Sequence, residues 1–280
     1  LLGEFDALPQ LSQTTDTFRQ SANGVAGHGC GHNLLGAASA GAAVLVKKWL
    51  EENEVDATVK YFGAPAEEGG SGKVYLARDG YFDDVDIAMM THTSASPDQG
   101  KISFGGTNNG LVAKSIKFSG IASHAGGAPH LGVNALNAAM IAMSAIHAQR
   151  ETYRDQDTIR IHPIITRGGV AVSSVPADVR METYVRGASI DAFISASEKV
   201  DRALRAGAMA VGGSVDITTL PGYLPIQSSQ PMLEFYSRNA ATLVGSDNLS
   251  QLGHRTGSTD MGDISQMMPV IHPYVEAATG

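Results

Sequence analysis

The chain has 280 residues, 43% hydrophobic and 17% charged, a composition typical of a globular protein with one large or two ordinary domains. Its formal net charge of -8 gives no sign of the basic face that a nucleic-acid partner would require, and it disfavours an anionic membrane surface. The most apolar stretches, residues 34–50 and 133–149, contain polar side chains and are shorter than the roughly 20 apolar residues of a membrane span. We therefore expect neither nucleic acid nor membrane among its partners.

The first hundred residues alternate between strand and helix patterns. Strands are predicted over residues 1–6, 57–64 and 86–92, and helices over residues 32–53 and 72–78. Such alternation predicts an α/β fold, with a mostly parallel sheet and helices on both of its faces. Functional loops of such sheets gather at the carboxyl ends of the strands. Four candidate residues fall at or just beyond these ends: Asp6, Glu67, Glu68 and His92.

The middle of the chain has a different rhythm. Its predicted elements are a strand, a helix, two strands, a helix and a strand, over residues 111–119, 133–150, 158–166, 179–186, 189–212 and 214–220. This β-α-β-β-α-β order is the ferredoxin-like plan. We therefore predict an inserted domain at residues 108–221, within a discontinuous first domain formed by residues 1–107 and 222–280.

The two ends of the chain also carry a prediction. From Pro231 the pattern indicates helix and loop. The chain begins inside a predicted strand and stops without a terminal element. We therefore expect the first domain to be truncated at both ends.

Cys30 is the only cysteine, so no internal disulfide can form and a reducing, cytoplasmic compartment is expected. It lies in the loop Gly-His-Gly-Cys-Gly-His-Asn at residues 27–33, directly before a predicted helix. A thiolate and the imidazole of His32, two residues later, can bind the same metal centre, because a cation holds the thiolate deprotonated. A buried structural cysteine among loop histidines is the alternative for this segment.

Glu67 and Glu68 follow an apolar strand, in the segment Pro-Ala-Glu-Glu-Gly-Gly at residues 65–70. Adjacent carboxylates on a loop can point in different directions, so that one binds metal while the other takes a proton from water. Without a cation the two would repel each other, and one would keep its proton. A solvated acidic turn is the alternative. His92, at the end of the predicted strand 86–92, is by itself more often structural, but it falls on the same rim.

Cys30, His32, Glu68 and His92 together offer one sulfur, two nitrogen and one oxygen ligand. With one more ligand, this set suits two metal ions about 3.5–4 Å apart, as in two-metal hydrolases. Thiolate and imidazole favour zinc, and the carboxylate is compatible with manganese. We therefore predict two divalent metal ions, zinc or manganese, as cofactors.

Five segments resemble metallopeptidase family M-twenty, in particular its branch of aminobenzoyl-glutamate hydrolases and aminoacyl dipeptidases. Three of them are Gly-Glu-Phe-Asp-Ala-Leu-Pro at residues 3–9, the loop at 27–33 and Pro-Ala-Glu-Glu-Gly-Gly-Ser-Gly-Lys at 65–73. The others are Ser-His-Ala-Gly at 123–126, with Pro129, Gly132, Asn134, Ala135 and Leu136, and Gly-Ser-Thr-Asp-Met-Gly-Asp at 257–263. The resemblance covers essentially the whole chain.

The resemblance implies a zinc-peptidase-like catalytic domain with an inserted lid that also dimerises. It implies that Cys30 bridges the two ions and that His32, Glu68 and His92 complete most of their shells. Glu67 would be the general base, and Asp6 would orient a metal ligand without binding the metal itself. Judged by its neighbours alone, Asp6 before Leu-Pro is equally well a turn former.

In the lid, the resemblance assigns two further roles. His124 would stabilise the oxyanion, usually by reaching across a dimer, and Arg186 would hold the substrate carboxylate. A histidine of a glycine-rich turn and an exposed strand-end arginine are the alternatives. Ser173 stands where many relatives have asparagine, three residues before the lid proline, and we expect the exchange to alter contacts to the scissile carbonyl.

Two more departures from the family pattern concern Gln10 and the end of the chain. Gln10 stands where close relatives have glycine after Asp-Ala-Leu-Pro. The family's last metal ligand is a histidine a few residues beyond the final Ala-Thr-Gly, and neither His254 nor His272 occupies its place. We therefore expect residues 1–280 alone to bind a second metal ion weakly.

The resulting hypothesis is metal-dependent hydrolysis of an amide in a small N-acyl or aminoacyl amino acid, such as aminobenzoyl-glutamate or a dipeptide. The expected partners are this carboxylate-bearing small molecule and a second subunit, identical or different, bound through the lid. One alternative makes Cys30 a nucleophile paired with a histidine, which leaves Glu67 and Glu68 unexplained. The other is a non-catalytic partner subunit or binding protein of the same fold.

Overall fold

The computed structural model describes residues 1–22, 24–94 and 101–277. The chain divides into two compact units. Unit 1 comprises Leu1–Asn108, Ile226–Arg255 and Thr259–Gly280, and unit 2 comprises Asn109–Pro225 and Thr256–Ser258. The last three residues, where the sequence predicts a truncated end, lie outside the described part.

The fold is mixed α/β. The first eight elements are β1 (Leu2–Glu4), α1 (His32–Glu52), β2 (Phe62–Ala64), α2 (Gly72–Arg78), β3 (Ala88–Met89), β4 (His92–Ser94), β5 (Ile102–Phe104) and β6 (Thr107–Asn108). They are followed by β7 (Gly110–Ser119), α3 (Ala135–Ala148), β8 (Arg160–Ile161), β9 (Ile164–Arg167), β10 (Asp178–Gly187), α4 (Ile190–Ala210) and β11 (Ser214–Leu220). The last elements are α5 (Gln230–Val244), β12 (Leu249–Gln251), β13 (His254–Arg255), α6 (Met261–Ile264), β14 (Val270–Ile271) and β15 (Tyr274–Glu276).

The strands of unit 1 are short and pair mostly in parallel. Parallel pairs join β1 to β2, β3 to β14, β4 to β15, β5 to β12 and β6 to β13, whereas β5 and β15 are antiparallel. A single parallel bridge between Leu2 and Met90 places β1 beside the segment that follows β3. The mostly parallel α/β arrangement predicted from the sequence is therefore confirmed in this unit.

Strand β1 belongs to the core of unit 1 and also lies close to α1. Leu2, Met90, Ile264 and Val270 are buried together in this core. A side chain at Gly3 would place its Cβ only 2.9 Å from the Cα of Gly36, so strand and helix approach each other through two glycines. This contact brings the residues at the end of β1 next to the beginning of α1.

Unit 2 is an antiparallel sheet covered by two helices. The strand order is β11-β7-β10-β8, with β9 also paired to β10, and the register sets Met181 opposite Ile116 and Ile116 opposite Ile217. Both helices begin at residues whose side chains accept backbone N–H groups, Asn134 for α3 and Ser189 for α4. The helices and one face of the sheet bury a core that includes Phe118, Ile116 and Met181.

Several details differ from the predicted elements, and the predicted strand 57–64 is observed only over Phe62–Ala64. The segment 158–166 is two short strands, because Pro163 between them has no N–H to donate to a ladder. His92 begins β4 instead of ending the preceding strand. Beyond α5, where helix and loop were predicted, the described residues up to 277 form four strands of two or three residues, too short to show a periodic pattern. Among the described helices, none has the length and hydropathy of a bilayer-spanning segment.

Candidate metal centre

The loop before α1 is pressed against β4. Gly31 has a positive φ of 85°, and a Cβ there would lie 2.5 Å from the Oγ1 of Thr93, so glycine alone fits. The Thr93 hydroxyl donates a hydrogen bond to the main-chain oxygen of Cys30, at 3.1 Å. As a result, the Sγ of Cys30 lies 3.4 Å from the Nε2 of His92.

The orientation of His92 suits a ligand. Its Nδ1 lies 2.7 Å from the main-chain oxygen of Thr93. Because a carbonyl oxygen only accepts, Nδ1 carries the proton and the neutral ring presents a lone pair at Nε2. That lone pair faces the Cys30 sulfur. Ligand atoms of Cys30, His32 and His92 all lie within 4.8 Å of one another.

His32, the first residue of α1, is buried and is held in the same way. Its Nδ1 lies 3.0 Å from the Oδ1 of Asp6 and 3.2 Å from the main-chain oxygen of Asp6, so Nδ1 again carries the proton. The other carboxylate oxygen of Asp6 accepts the backbone N–H of Glu68, at 2.9 Å. Asp6 therefore connects β1, α1 and the loop of the two glutamates, and it orients a candidate ligand as a carboxylate–histidine pair does.

The loop that carries Glu67 and Glu68 is bracketed by strained residues. Ala66 and Ser71 have positive φ angles, 56° and 52°, which cost non-glycine residues energy and concentrate at functional sites. Glu67 is buried, and burial, reinforced by the carboxylates of Glu4 and Asp260, raises its pKa to about 9. Ligand atoms of His32, Glu67 and Glu68 lie within 4.8 Å of one another.

These groups fit a divalent cation. The Nε2 of His32 and the Oε1 of Glu68 are buried 3.9 Å apart, and neither has a hydrogen-bond partner within the described part of the chain. Burial, followed by the charges of Glu68, Glu67 and Glu4, raises the pKa of Cys30 to about 12. A cation among these groups would lower the raised pKa values of Cys30 and Glu67, because it stabilises thiolate and carboxylate. The set of sulfur, nitrogen and oxygen donors is one that zinc accepts.

Two of the predicted residues of unit 2, His124 and Ser173, belong to neighbouring turns. The N–H of Ala125 donates to the main-chain oxygen of Ser173, at 2.8 Å. The Nδ1 of His124 accepts the N–H groups of Gly126 and Gly127, at 3.2 and 2.9 Å. In the neutral ring Nε2 therefore carries the proton, and this exposed imidazole presents a donor. The side chain of Ser173 is exposed.

Arg186 lies on β10, opposite Leu111 of β7 and Arg160 of β8. Its guanidinium lies 5.5 Å from the centre of the Tyr184 ring. Together with Arg160, His162 and Glu182 it lines a cavity of about 490 Å³. The two guanidinium groups are of the kind that bind a carboxylate.

The sequence profile described as Peptidase family M20/M25/M40 matches residues 1–277. The chain belongs to this family. It is 40% identical to one subunit of the p-aminobenzoyl-glutamate hydrolase of Escherichia coli over 189 residues, which cover 66% of this chain and 38% of that protein. It is 32% identical to the Xaa-Arg dipeptidase of Mus musculus over 99% of this chain and 61% of that protein.

A solved Bacillus subtilis structure, described as a dinuclear metal binding peptidase from the M20 family, has the same fold. The TM-score is 0.66 at 21% identity, over 98% of this chain and 70% of that one. The regions aligned with this chain make up 38% of the Escherichia coli subunit and 61% of the Mus musculus dipeptidase. This chain therefore corresponds to only part of each relative.

The sequence did not predict a buried charge network that lies next to His32. The Nζ of Lys73 lies 2.6 Å from the Oε1 of Glu4 and 2.5 Å from the Oδ1 of Asp260, and all three side chains are fully buried. Burial by itself would lower the pKa of Lys73, but the carboxylates of Asp260 and Glu4 outweigh it and raise the pKa. The three residues stand in segments that carried the family resemblance, and nothing in those segments indicated that they pair.

We expect Lys73→Met to destabilise unit 1 by about 3–5 kcal/mol, because it leaves two buried carboxylates without a counter-charge. The matched control is Lys60→Met, which breaks the ion pair with the exposed Asp84 and should change stability little. Denaturant unfolding of both variants measures the difference. Equal denaturation midpoints for the two variants would show that the Lys73 network contributes no more to stability than the exposed ion pair.

His272 is a second buried residue to which the sequence gave no role. It follows β14, its ring centre lies 5.9 Å from that of His92, and its Nε2 has no hydrogen-bond partner among the described residues. Burial, with His92, Lys73 and Arg255 nearby, holds the pKa of His272 well below its usual value. The neutral imidazole of His272 therefore lies next to the ring of His92. Its place follows from the pairing of β14 with β3, which the sequence did not predict.

Proposed function

We propose that this chain catalyses hydrolysis of the amide bond in a small N-acyl or aminoacyl amino acid, with two divalent metal ions and Glu67 as the general base. The observation that carries the proposal is the arrangement of His32 and His92. Each ring commits its Nδ1 proton to a main-chain oxygen, and His92 turns its Nε2 towards the Cys30 sulfur. With Glu68 alongside, these groups form the donor set of a metal site.

The metal ions, when bound, would supply the Lewis acidity that polarises the amide carbonyl and acidifies water. Glu67 takes the proton of the attacking water and delivers it to the leaving amine. A cation bound beside Glu67 would counter its raised pKa, so that its carboxylate could take up this proton. Asp6 keeps the His32 ring in its ligand orientation. The sulfur and nitrogen donors favour zinc, and the carboxylates also accommodate manganese.

We further propose that residues 108–221 are a ferredoxin-like lid and dimerisation domain, inserted into a catalytic domain formed by residues 1–107 and 222–280. The observed strand order of unit 2 supports this assignment. His124 offers its Nε2 proton to the oxyanion, and Arg186 binds the substrate carboxylate in the cavity that it lines. Ser173, beside the His124 turn, contacts the scissile amide. The Escherichia coli relative is one subunit of its hydrolase, which supports a second subunit here, identical or different.

One observation favours a second candidate, a cysteine hydrolase. The Cys30 sulfur lies 3.4 Å from the His92 Nε2, which could accept the thiol proton. Burial and three carboxylates, however, raise the pKa of this thiol to about 12, whereas activated cysteines have lowered pKa values. We therefore prefer the metal-dependent mechanism. Because the thiol of Cys30 is free, we also propose a reducing compartment, the cytoplasm.

The test is a substrate panel assayed with and without a metal chelator. Aminobenzoyl-glutamate, aminoacyl-arginine, aminoacyl-lysine and acyl amino acids form the panel. We expect the chelator to abolish turnover of at least one member and Zn²⁺ or Mn²⁺ to restore it. Full activity in chelator would support the cysteine hydrolase. Tight metal binding without turnover of any member would support a non-catalytic partner subunit.

A further inference from the structure

Two buried carboxylate oxygens lie near the Nε2 of His32 at the start of α1. The Oε2 of Glu4 lies 3.2 Å from the Nε2 of His32, and the Oε1 of Glu68 lies 3.9 Å from the same nitrogen. Glu4 is fully buried and His32 is 1% exposed. None of the three atoms has a hydrogen-bond partner in the described part of the chain, and the 3.2 Å contact itself lacks hydrogen-bond geometry.

The Nε2 of His32 faces a carboxylate oxygen of Glu4 without a hydrogen bond between them. The main-chain oxygen and the carboxylate of Asp6 both face Nδ1, so in the neutral ring Nε2 presents a lone pair. The two facing oxygens of Glu4 and Glu68 present lone pairs as well. Such groups are stable in a buried position only if they are paired or coordinate a metal.

The separation between Glu4 and His32 also fits two ligands of one ion. Two donor atoms, each about 2.1 Å from a metal ion and separated by about 90–109°, lie about 3.0–3.4 Å apart. The 3.2 Å between the Glu4 oxygen and the His32 nitrogen falls in that range. The other oxygen of Glu4 is bound to the Lys73 ammonium at 2.6 Å, which fixes the carboxylate and leaves Oε2 directed towards the His32 nitrogen.

We propose that Glu4 is an additional metal ligand, which shares one ion with His32. The inference rests on the metal-dependent function proposed above. Lys73 acts as a positioning residue, since it holds the unused oxygen of Glu4 and neutralises part of the charge around the site. With Glu4, five side chains of the described residues supply ligands: Glu4, Cys30, His32, Glu68 and His92.

The test is a titration of the metal-free intact protein with Mn²⁺ by calorimetry and with Co²⁺ by visible absorption. Glu4→Gln retains the size of the side chain and removes its charge. We expect the affinity of one metal site to fall at least about 10–100-fold, because loss of a group that only hydrogen-bonds to a ligand already costs that much. The Co²⁺ spectrum should change as well. The matched control is Asp260→Asn, which removes a charge from the same ammonium and should titrate much closer to wild type.

A second variant guards against misfolding of the first. Glu4→Asp keeps the charge beside Lys73 but withdraws the carboxylate from His32, so it should fold and still lose affinity. The proposal is overturned if both Glu4 variants titrate like the wild type, or if Asp260→Asn loses as much affinity as Glu4→Gln. Wild-type protein that binds two ions but hydrolyses no substrate would overturn the proposed function alone. Wild-type protein that binds no divalent ion would overturn both.

Discussion

Exchange of Glu67 for glutamine should lower kcat about 10²–10⁴-fold while the metal content stays at the wild-type level. The amide retains the size of the side chain but cannot take up the proton of the attacking water. Glu67 is buried, and its carboxylate lies close to the ligand atoms of His32 and Glu68. Steady-state kinetics and elemental analysis of the same protein sample measure the two effects.

Glu68→Gln is the matched control, because the two glutamates are neighbours on one loop and are expected to differ in role. The Oε1 of Glu68 faces the His32 Nε2, so its variant should lose metal as well as activity. If Glu67→Gln also loses metal, Glu67 is a ligand instead of a base, a role that its distance to His32 and Glu68 allows. Near-normal kcat in the Glu67 variant would exclude it as the base.

Exchange of Cys30 for serine should remove both metal and activity, because a hydroxyl group is a poor substitute for a bridging thiolate. We expect the metal affinity to fall at least about 10–100-fold, since even partners outside the coordination shell contribute that much. Calorimetric titration with Zn²⁺, together with hydrolysis assays, measures the two losses. The sulfur lies 3.4 Å from the His92 Nε2, so the variant leaves that imidazole without its neighbouring ligand.

His28→Ala provides the control within the same loop. His28 is exposed, and among the described residues it belongs to no group of ligand atoms, so its loss should leave metal binding close to wild type. A Cys30→Ser variant that retains full metal occupancy but has no activity would support the cysteine nucleophile. The two outcomes separate the two mechanisms without knowledge of the native substrate.

The sequence by itself identified the family and most of the residues that meet in unit 1. The loop of Cys30 and His32, the pair Glu67 and Glu68, and His92 were selected because ligand-type residues followed predicted strands or preceded a predicted helix. Parallel strands bring such positions to one edge of a sheet, so chemistry and periodicity were sufficient to group them. Helices α1 and α2 were predicted to within one residue of their observed bounds, because their patterns are regular and end at clear breaks.

Only the tertiary structure decided which atoms of these residues face one another. The tautomers of His32 and His92 depend on main-chain oxygens of Asp6 and Thr93, and local sequence does not encode where those oxygens point. The four short strands beyond α5 exist because longer-range parallel pairing stabilises them, although each is too short to carry a pattern of its own.

The network of Glu4, Lys73 and Asp260 is the strongest example. Lys73 is separated by 69 residues from Glu4 and by 187 residues from Asp260, yet its ammonium binds both. In the sequence, a glutamate in a short apolar strand and a lysine in a helix indicate only surface positions. Burial reverses that expectation, because charges removed from water are stable only next to opposite charges. Those neighbours are assembled by the fold and not by the order of residues along the chain.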